Sequence, residues 1–295
     1  MSFASNTKSE LCKITDEHKC CKRAVLAGVI AFSAIKSRDS IKITTENVAV
    51  GRLIVGLFKG LFDSKPSIKI AKRGQARLYI LELKDYKRVL AGLGLNGLAM
   101  RIHPAIVKRN CCQKAFVRGA FLGGGSISSP QKSYHLEISA KHIMMRNDFK
   151  YLLENLGIDV KTIQRKNSYV FYFKGSSQIG DMLALMGAHS TMMEFLNVKI
   201  IKEVRNNVNR IVNCETANVG KTINASLHQK QAINKINTKI GIDLLSPDLQ
   251  ELAWLRLDNI QASLKELGEM LDPPLNKSAV NRRMKKIIEI AEGLL

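Results

Sequence analysis

The chain has 295 residues, an apolar content of 45% and a formal net charge of +21 at pH 7. The length allows about two domains of roughly 150 residues each. The charge predicts a polyanionic partner, with nucleic acid favoured over an anionic membrane surface. The longest apolar run, from Ala24 to Ile35, has about 12 residues, whereas a bilayer span needs roughly 20. Neither membrane insertion nor a secretion signal is predicted, and we expect a cytoplasmic protein.

The first hundred residues alternate between helical and strand periodicity. Residues 1–19 are interpreted as a polar lead-in, with helix from about Lys8. The region that follows is rich in apolar residues, at helical spacing in some stretches and alternating in others. The predicted elements are a helix over 20–35, a strand or hairpin over 40–50, a helix over 51–62, strands over 67–73 and 76–83 around Arg73-Gly74-Gln75, and a helix over 84–95.

A second half repeats this order. Its predicted elements are a helix over 112–123, a strand over 134–140, a helix over 142–156, strands over 158–165 and 169–174, and a helix over 176–186. At one constant offset, Cys20-Cys21 corresponds to Cys111-Cys112 and Gly28 to Gly119. The pattern predicts an internal duplication, and therefore an α+β domain over residues 20–196 with a pseudo-twofold axis between halves 20–100 and 111–190.

Six cysteines are present, but no CxxC motif occurs. Two adjacent pairs, Cys20-Cys21 and Cys111-Cys112, stand at the starts of the predicted helices 20–35 and 112–123, and neighbouring side chains on a helix point to different faces. Cys12, His18, Cys20 and Cys21 match no zinc-ligand spacing. We therefore expect buried, reduced thiols, with no metal site and no cofactor.

From residue 197 the composition changes to Asn and Arg. Residues 197–222 are interpreted as a linker or a helix between the duplicated domain and a helical domain over 223–295. Because Asn is a poor helix former, its abundance favours either helix docking or contact with nucleic acid. The candidate DNA contacts in this part are Arg210, Asn213, Asn218 and Lys221.

The last third predicts a helix-turn-helix. Ser246 and Pro247 begin one helix, a short helix covers 262–271 and the segment 272–276 is a turn. A final helix runs over 277–293. The residues expected to face inward are Leu264, Leu267, Met270 and Leu271 on the short helix, and Val280, Met284, Ile287 and Ala291 on the last.

The opposite face of the last helix is polar and basic. A recognition helix presents its N-terminal half to the major groove, so Arg282 is a candidate reader of guanine and Asn281 of adenine, while lysines mainly meet phosphates. An ordinary helical hairpin with a solvated basic face is the alternative. The predicted DNA-binding residues are Lys277, Ser278, Asn281, Arg282, Lys285 and Lys286.

The centre of the duplication, Val117-Arg118-Gly119-Ala120-Phe121-Leu122-Gly123-Gly124-Gly125, resembles the core motif of LAGLIDADG homing endonucleases, and Leu26-Ala27-Gly28 begins a weaker copy. The resemblance implies two helices that pack through small residues and whose ends carry metal-binding acids. Ser33 and Gly124 occupy those acid positions, and neither holds magnesium as a carboxylate does. The fold is therefore expected without the catalysis.

In such a fold the strands form a saddle. The candidates to line it, unless they belong to a solvated strand face, are Lys69, Arg73, Arg77, Lys161, Arg165 and Lys174. Gln113, Lys114 and Arg118 are interpreted as surface positions.

The two motifs together resemble the bacterial WhiA family. The stretches that carry the resemblance are Arg118-Gly119-Ala120-Phe121-Leu122, Ser133-Tyr134-His135-Leu136-Glu137-Ile138, Asn209-Arg210-Ile211-Val212-Asn213-Cys214-Glu215-Thr216-Ala217-Asn218 and Ser263 to Gly268 through Lys277 to Asn281. The resemblance implies a nucleoid-associated, double-stranded-DNA-binding transcription regulator in cell division and chromosome segregation, or in sporulation, and not an enzyme. It makes RNA polymerase or a sigma factor a candidate partner. An active homing-type nuclease and a protein-binding adaptor are the alternatives.

Overall fold

The computed structural model describes residues 2–16, 18–74, 76–95 and 101–294. Two units divide the chain, Met1–Lys202 and Glu203–Leu295, and each has its own hydrophobic core. Gln75 in the predicted first hairpin and residues 96–100 at the end of the predicted first half lie outside the described residues.

The first unit contains two copies of one element order behind a short helix, α1 (Phe3–Leu11). The first copy is α2 (Lys19–Ser33), β1 (Ile35–Lys36), β2 (Ile41–Thr45), α3 (Val48–Phe62), β3 (Ser67–Arg73), β4 (Ala76–Leu83) and α4 (Tyr86–Gly92). The second is α5 (Asn110–Gly124), β5 (Gly125–Ile127), β6 (Leu136–Ala140), α6 (Ile143–Asn155), β7 (Lys161–Arg165), β8 (Ser168–Phe173) and α7 (Ser176–Met186). The predicted duplication and the α+β class are thereby confirmed.

Each copy builds one four-stranded antiparallel sheet. The strand orders are β1-β2-β4-β3 and β5-β6-β8-β7, so the two sheets have the same topology. In the first, Ile43 lies opposite Leu81, and in the second, Ile138 lies opposite Phe171. All four side chains are buried. Because side chains alternate along a strand, this register turns one face of each sheet to the shared core and leaves Lys42, Glu82 and Glu137 on the other.

The two motif helices, α2 and α5, pack against each other at the centre of that core. A Cβ atom at Gly28 would collide with the carbonyl oxygen of Phe116, and one at Gly119 would collide with that of Val25. Only glycine allows the two backbones to approach this closely. The predicted packing role of these two glycines is confirmed.

The predicted strand or hairpin over 40–50 is wrong beyond Thr45. The Asn47 side chain accepts hydrogen bonds from the backbone amides of Ala49 and Val50, at 2.9 and 3.2 Å, and so caps α3. Val48 and Val50 are therefore helical. Apolar residues two positions apart occur in the first turn of a helix as well as in a strand, and the alternation could not separate the two.

The interpretation of residues 1–19 as a lead-in is also wrong. Helix α1 begins at Phe3, capped by Ser2, rather than near Lys8. The Glu10 carboxylate accepts hydrogen bonds from the amides of Ser190 and Thr191 at 2.7 and 2.9 Å. The Asn47 amide group donates to the Ser5 carbonyl at 3.0 Å. Helix α1 is therefore an integral part of the first unit.

A 51-residue helix, α8 (His189–Lys239), begins in the first unit and ends in the second. Residues 197–222 lie inside it. The second unit continues with a single 3₁₀ turn at Ile242–Leu244, then α9 (Pro247–Asp258), α10 (Leu264–Glu269) and α11 (Lys277–Gly293). Within the described part of the chain, no helix combines the length and the hydropathy that crossing a bilayer requires.

The core of the second unit follows the predicted inward stripe of α11. Val280, Met284, Ile287 and Ala291 are all buried, as are Leu267 and Leu271. Met270 is 49% exposed, so its predicted inward position is wrong. It lies one residue beyond the end of α10, where the helical spacing no longer sets its direction.

Candidate nucleic-acid interface

The start of α11 is fixed by a cap and a tight turn. The Asn276 side chain accepts a hydrogen bond from the Ala279 amide at 2.9 Å. The Leu275 amide donates to the Gly268 carbonyl at 2.8 Å, which closes the turn between α10 and α11. A Cβ atom at Gly268 would collide with the Leu275 carbonyl, so glycine allows α10 to lie this close to the turn. The geometry is that of a helix-turn-helix.

The six residues predicted to bind DNA from α11 are all exposed. No carboxylate among the described residues lies within 4.0 Å of the charged groups of Lys277, Arg282, Lys285 or Lys286. The first ten residues of α11 also contain no acid. This face therefore presents cations without a paired carboxylate, although Lys286 lies near enough to Asp248 for its charge to lower the pKa of that carboxyl.

Arg283, the remaining cation in the first ten residues of α11, forms an ion pair within the fold instead. Its Nε atom lies 3.3 Å from the Asp248 carboxylate at the start of α9. A hydrogen bond from Ser246 and then the Arg283 charge hold the pKa of Asp248 below its ordinary value. The pair joins α11 to α9, and Arg283 is not available to a ligand in the way that Arg282 is.

Arg256 is a buried cation that the sequence patterns did not single out. It is 2% exposed, and its Nη1 atom donates to the carbonyls of Asn259, Ile260 and Ala262 at 3.2, 3.4 and 2.6 Å. These bonds hold the loop that leads into α10. Burial lowers the pKa of Arg256, and its Nε atom has no hydrogen-bond partner among the described residues. Helical spacing could have indicated that Arg256 is buried, because it continues the buried stripe of Leu249, Leu252 and Ala253 along α9.

A pocket of about 200 Å³ beside Arg256 brings two predicted contacts together. Lys221 of α8 and Lys277 of α11 both line it, with Gln229 and Ser263. Two exposed ammonium groups and a hydroxyl around one small pocket suit a phosphate oxygen. The other α8 candidates, Arg210, Asn213 and Asn218, are exposed on the helix, and the structure does not place them in this pocket.

The two motif positions at the helix ends, Ser33 and Gly124, do not fit a catalytic metal site that is built on carboxylates. The Ser33 hydroxyl donates to the Val29 carbonyl of its own helix at 2.6 Å. A Cβ atom at Gly124 would lie 2.7 Å from the Ser139 carbonyl oxygen, so even a restored acid would not fit without a shift. The divalent metal implied by the endonuclease resemblance therefore finds no carboxylate ligand at these two positions.

Helix α1 adds a cation near the same place. Lys8 lines a pocket with Gly123 and Ser126, and its Nζ atom lies 5.8 Å from the centre of the Phe121 ring. Burial lowers the pKa of Lys8 to about 8. An ammonium group here opposes the binding of a second cation.

The outer faces of the sheets are less basic than the sequence suggested. The Glu82 carboxylate lies 3.5 Å from Lys42 Nζ and 3.7 Å from Lys69 Nζ. In the second copy, Glu137 lies 3.3 Å from Arg165. Strand register places Lys69, Lys161 and Arg165 on these outer faces.

Among the other saddle candidates, Arg77 lies on a different face from the one predicted. Arg77 follows the core-facing side of β4 with Leu81, so it does not share the face of Lys69. Lys174 follows the end of β8, with its Nζ atom 5.6 Å from the Tyr172 ring centre. The side chain of Arg73 lies outside the described residues. Arg118, interpreted as a surface position, is 8% exposed and forms a 2.5 Å ion pair with Asp16.

The six cysteines are free thiols. The expectation of burial is correct for Cys21 and Cys112, whereas Cys111 and Cys214 are exposed. Thiols from both copies meet, because the Sγ atoms of Cys20, Cys21 and Cys112 lie within 4.8 Å of one another. Spacing along the chain could not show this cluster, since it forms across the two halves.

Family models match three successive parts of the chain. They describe a WhiA N-terminal LAGLIDADG-like domain at residues 19–95, a WhiA LAGLIDADG-like domain at 113–205 and a WhiA C-terminal HTH domain at 208–291. The chain belongs to the WhiA family. The resemblance noted in the sequence is confirmed.

Two WhiA relatives are similar along their whole length. Both are named probable cell division protein WhiA. The protein of Alkaliphilus metalliredigens is 40% identical, with 99% of this chain and 98% of the relative covered. That of Ruminiclostridium cellulolyticum is 43% identical, with 100% and 98% covered.

Solved WhiA structures have the same fold. Full-length WhiA from Thermotoga maritima superposes with a TM-score of 0.64 at 27% identity, over 100% of this chain and 99% of that one. An N-terminal LAGLIDADG domain of WhiA superposes with a TM-score of 0.55 at 22% identity, over 63% and 90%. The second likeness bears on the fold alone.

Proposed function

We propose that this protein is a sequence-specific DNA-binding regulator of transcription that acts in cell division and chromosome segregation and does not cleave DNA. The observation that carries the proposal is the exposed face of α11, where Lys277, Arg282, Lys285 and Lys286 form no ion pair among the described residues. The names of the relatives support the process, because they are called probable cell division proteins.

The residues of this face have separate roles. Arg282 donates in the plane that recognises O6 and N7 of guanine, and Asn281 both donates and accepts as adenine requires. Lys285 and Lys286 meet phosphates, which position the helix without reading sequence. Lys221 and Lys277 share the pocket beside Arg256 and bind one further phosphate. Arg210, Asn213 and Asn218 are proposed as weaker contacts along α8.

The motif helices act as a scaffold. Ser33 and Gly124 offer no carboxylate, and the close approach of Gly124 to Ser139 leaves no room for one. Two-metal cleavage of a phosphodiester needs such ligands to bind the attacking and leaving oxygens. Incubation of purified protein with magnesium and supercoiled plasmid is expected to leave the plasmid intact. Cleavage that persists through stringent purification would contradict this part of the proposal.

DNA binding is tested by fluorescence anisotropy with genomic fragments recovered by chromatin immunoprecipitation. We expect Arg282→Ala with Lys285→Ala to weaken binding about tenfold or more, since one base contact is worth roughly 1–3 kcal/mol. Lys59→Ala with Lys150→Ala is the matched control, because it removes the same charge from exposed positions of the first unit. Equal affinity of the two variants would instead favour a protein-binding adaptor.

The location and the partner follow from the same proposal. A chromosomal DNA reader works on the nucleoid in the cytoplasm, and a regulator of transcription meets RNA polymerase or a sigma factor there. Co-purification of RNA polymerase subunits with the wild-type chain after nuclease treatment, but not with an unrelated basic protein, is the expected result.

A further inference from the structure

A cluster of thiols lies at the N-terminal ends of the two motif helices. Cys20 and Cys21 are in the first turn of α2, and Cys111 and Cys112 are in the first turn of α5. The Sγ atoms of Cys20, Cys21 and Cys112 lie within 4.8 Å of one another, and those of Cys111 and Cys112 are 4.0 Å apart. The duplication has therefore brought two vicinal pairs to one point.

The cluster joins the two copies. Cys20 and Cys21 of α2 lie beside Cys112 of α5, and Cys111 lies 4.0 Å from Cys112. The packing of α2 against α5 brings both vicinal pairs to the N-terminal ends of the two helices. Thiols that meet across two helices differ from two separate pairs that each pack as a hydrophobe.

The spacing of these sulfur atoms suits a tetrahedral metal centre. Zinc–sulfur bonds of about 2.3 Å place neighbouring sulfurs of a tetrahedron roughly 3.8 Å apart. The separations in the cluster exceed that distance by no more than about 1 Å for three of the thiols, which side-chain rotation can supply. Cys21 and Cys112 are buried, while Cys111 is exposed and opens a path for an incoming ion.

We propose that Cys20, Cys21, Cys111 and Cys112 together bind one thiophilic divalent cation, with zinc as the first candidate. Four protein ligands leave no open position, so the site is structural rather than catalytic. It joins the first turns of α2 and α5 and therefore clamps the two copies of the duplication. It lies at the opposite ends of these helices from Ser33 and Gly124.

The chemistry is simple ligand exchange. Each thiol transfers its proton to solvent and gives a lone pair to the metal, so one ion displaces up to four protons and nothing is oxidised or reduced. Four thiolates around a divalent ion have a net charge of −2. The positive ends of α2 and α5 and the neighbouring guanidinium of Arg109 stabilise that charge.

The test is a cobalt titration of the full chain, purified in reductant and stripped of metal. We expect one equivalent of Co²⁺ to produce the intense visible bands of tetrahedral thiolate coordination, and zinc to remove them. Cys111→Ser is expected to bind at least about 100-fold more weakly, since even outer-shell changes cost 10–100-fold. Because Cys111 is exposed, this variant keeps its fold, which circular dichroism checks.

Cys214→Ser is the matched control, since it removes an exposed thiol of the second unit and is expected to bind cobalt like the wild type. Zinc should also raise the melting temperature of the wild type and of Cys214→Ser, but not of Cys111→Ser. Absence of thiolate bands in the wild type, or equal affinity of all three proteins, would overturn the proposal.

Discussion

The ends of the motif helices and the start of α11 differ in what they offer to a ligand. At the motif-helix ends, Ser33 bonds to its own helix and Gly124 lies against a carbonyl, so neither position offers a charged group to a ligand. At the start of α11, Arg282 and Lys285 project from a capped helix with no acid beside them. Packing and ligand binding therefore place different demands on a helix end. A pair of helices can keep its close packing after its ends have lost the side chains that bind a ligand.

The outer faces of the sheets extend this contrast. Their cations are present, yet Glu82 and Glu137 lie between them. A count of basic residues along the chain therefore overstates the positive charge on the sheets of the first unit. The face of α11 is distinguished from these sheets only when the acids beside each cation are also considered.

The largest effect is expected where the two motif helices meet. Gly119→Val would drive a side chain into the Val25 carbonyl, and overpacking of a core costs about 1–3 kcal/mol or more. We expect the first unit to fail to fold or to melt far earlier, as measured by circular dichroism. Gly60→Ala in α3 is the control, because nothing lies within 4 Å of its Cβ position. A normal melt for Gly119→Val would show that these helices tolerate separation.

Removing the buried cation of the second unit is expected to cost less. Arg256→Met leaves the carbonyls of Asn259, Ile260 and Ala262 without this donor. An orphaned acceptor costs roughly 1–3 kcal/mol when it is fully buried, and these partly buried carbonyls regain some hydrogen bonding from water. Chemical denaturation should show a loss of about 2–4 kcal/mol. Lys265→Met on the exposed side of α10 should change little. An unchanged midpoint for Arg256→Met would mean that water replaces these bonds.

A smaller effect is expected from the salt dependence of DNA binding. Each lost phosphate contact should reduce the slope of log K against log salt by about 1. Lys285→Ala with Lys286→Ala is therefore expected to reduce it by about 2. Lys42→Ala with Lys69→Ala, whose cations are paired with Glu82, should leave the slope almost unchanged. Equal slopes for the two double variants would show that the sheet faces also contact the backbone.

The smallest expected effect concerns Lys8. Its folded pKa, about 8, lies below the ordinary value of 10.5, so the unfolded chain binds more protons between these two values. Lys8 therefore destabilises the fold below pH 8, and the penalty disappears as pH rises toward 10.5. We expect Lys8→Met to melt above the wild type at pH 7, and the gap to close at high pH. Lys59→Met, at an exposed position of the first unit, is the control for the loss of one lysine charge.

The sequence predicted what periodicity and glycine placement encode. The duplication, the approach at Gly28 and Gly119, and the inward stripe of α11 were all readable, because each depends on local spacing. Arg118, Lys8 and the thiol cluster were not, because their partners are distant in sequence, as Asp16 is from Arg118. The exposed face of α11 was predictable from its pattern, but the absence of nearby acids required the fold.

The hydrogen bonds from Ser190 and Thr191 to Glu10 have a consequence for synthesis on the ribosome. The acceptor carboxylate emerges early, and its donors follow 180 and 181 residues later. Because proteins emerge N-terminus first, α1 waits through nearly the whole translation of the first unit before this contact can form. A nascent chain released before Ser190 lacks these donors, which makes the Glu10 contact a marker of whether translation has reached α8.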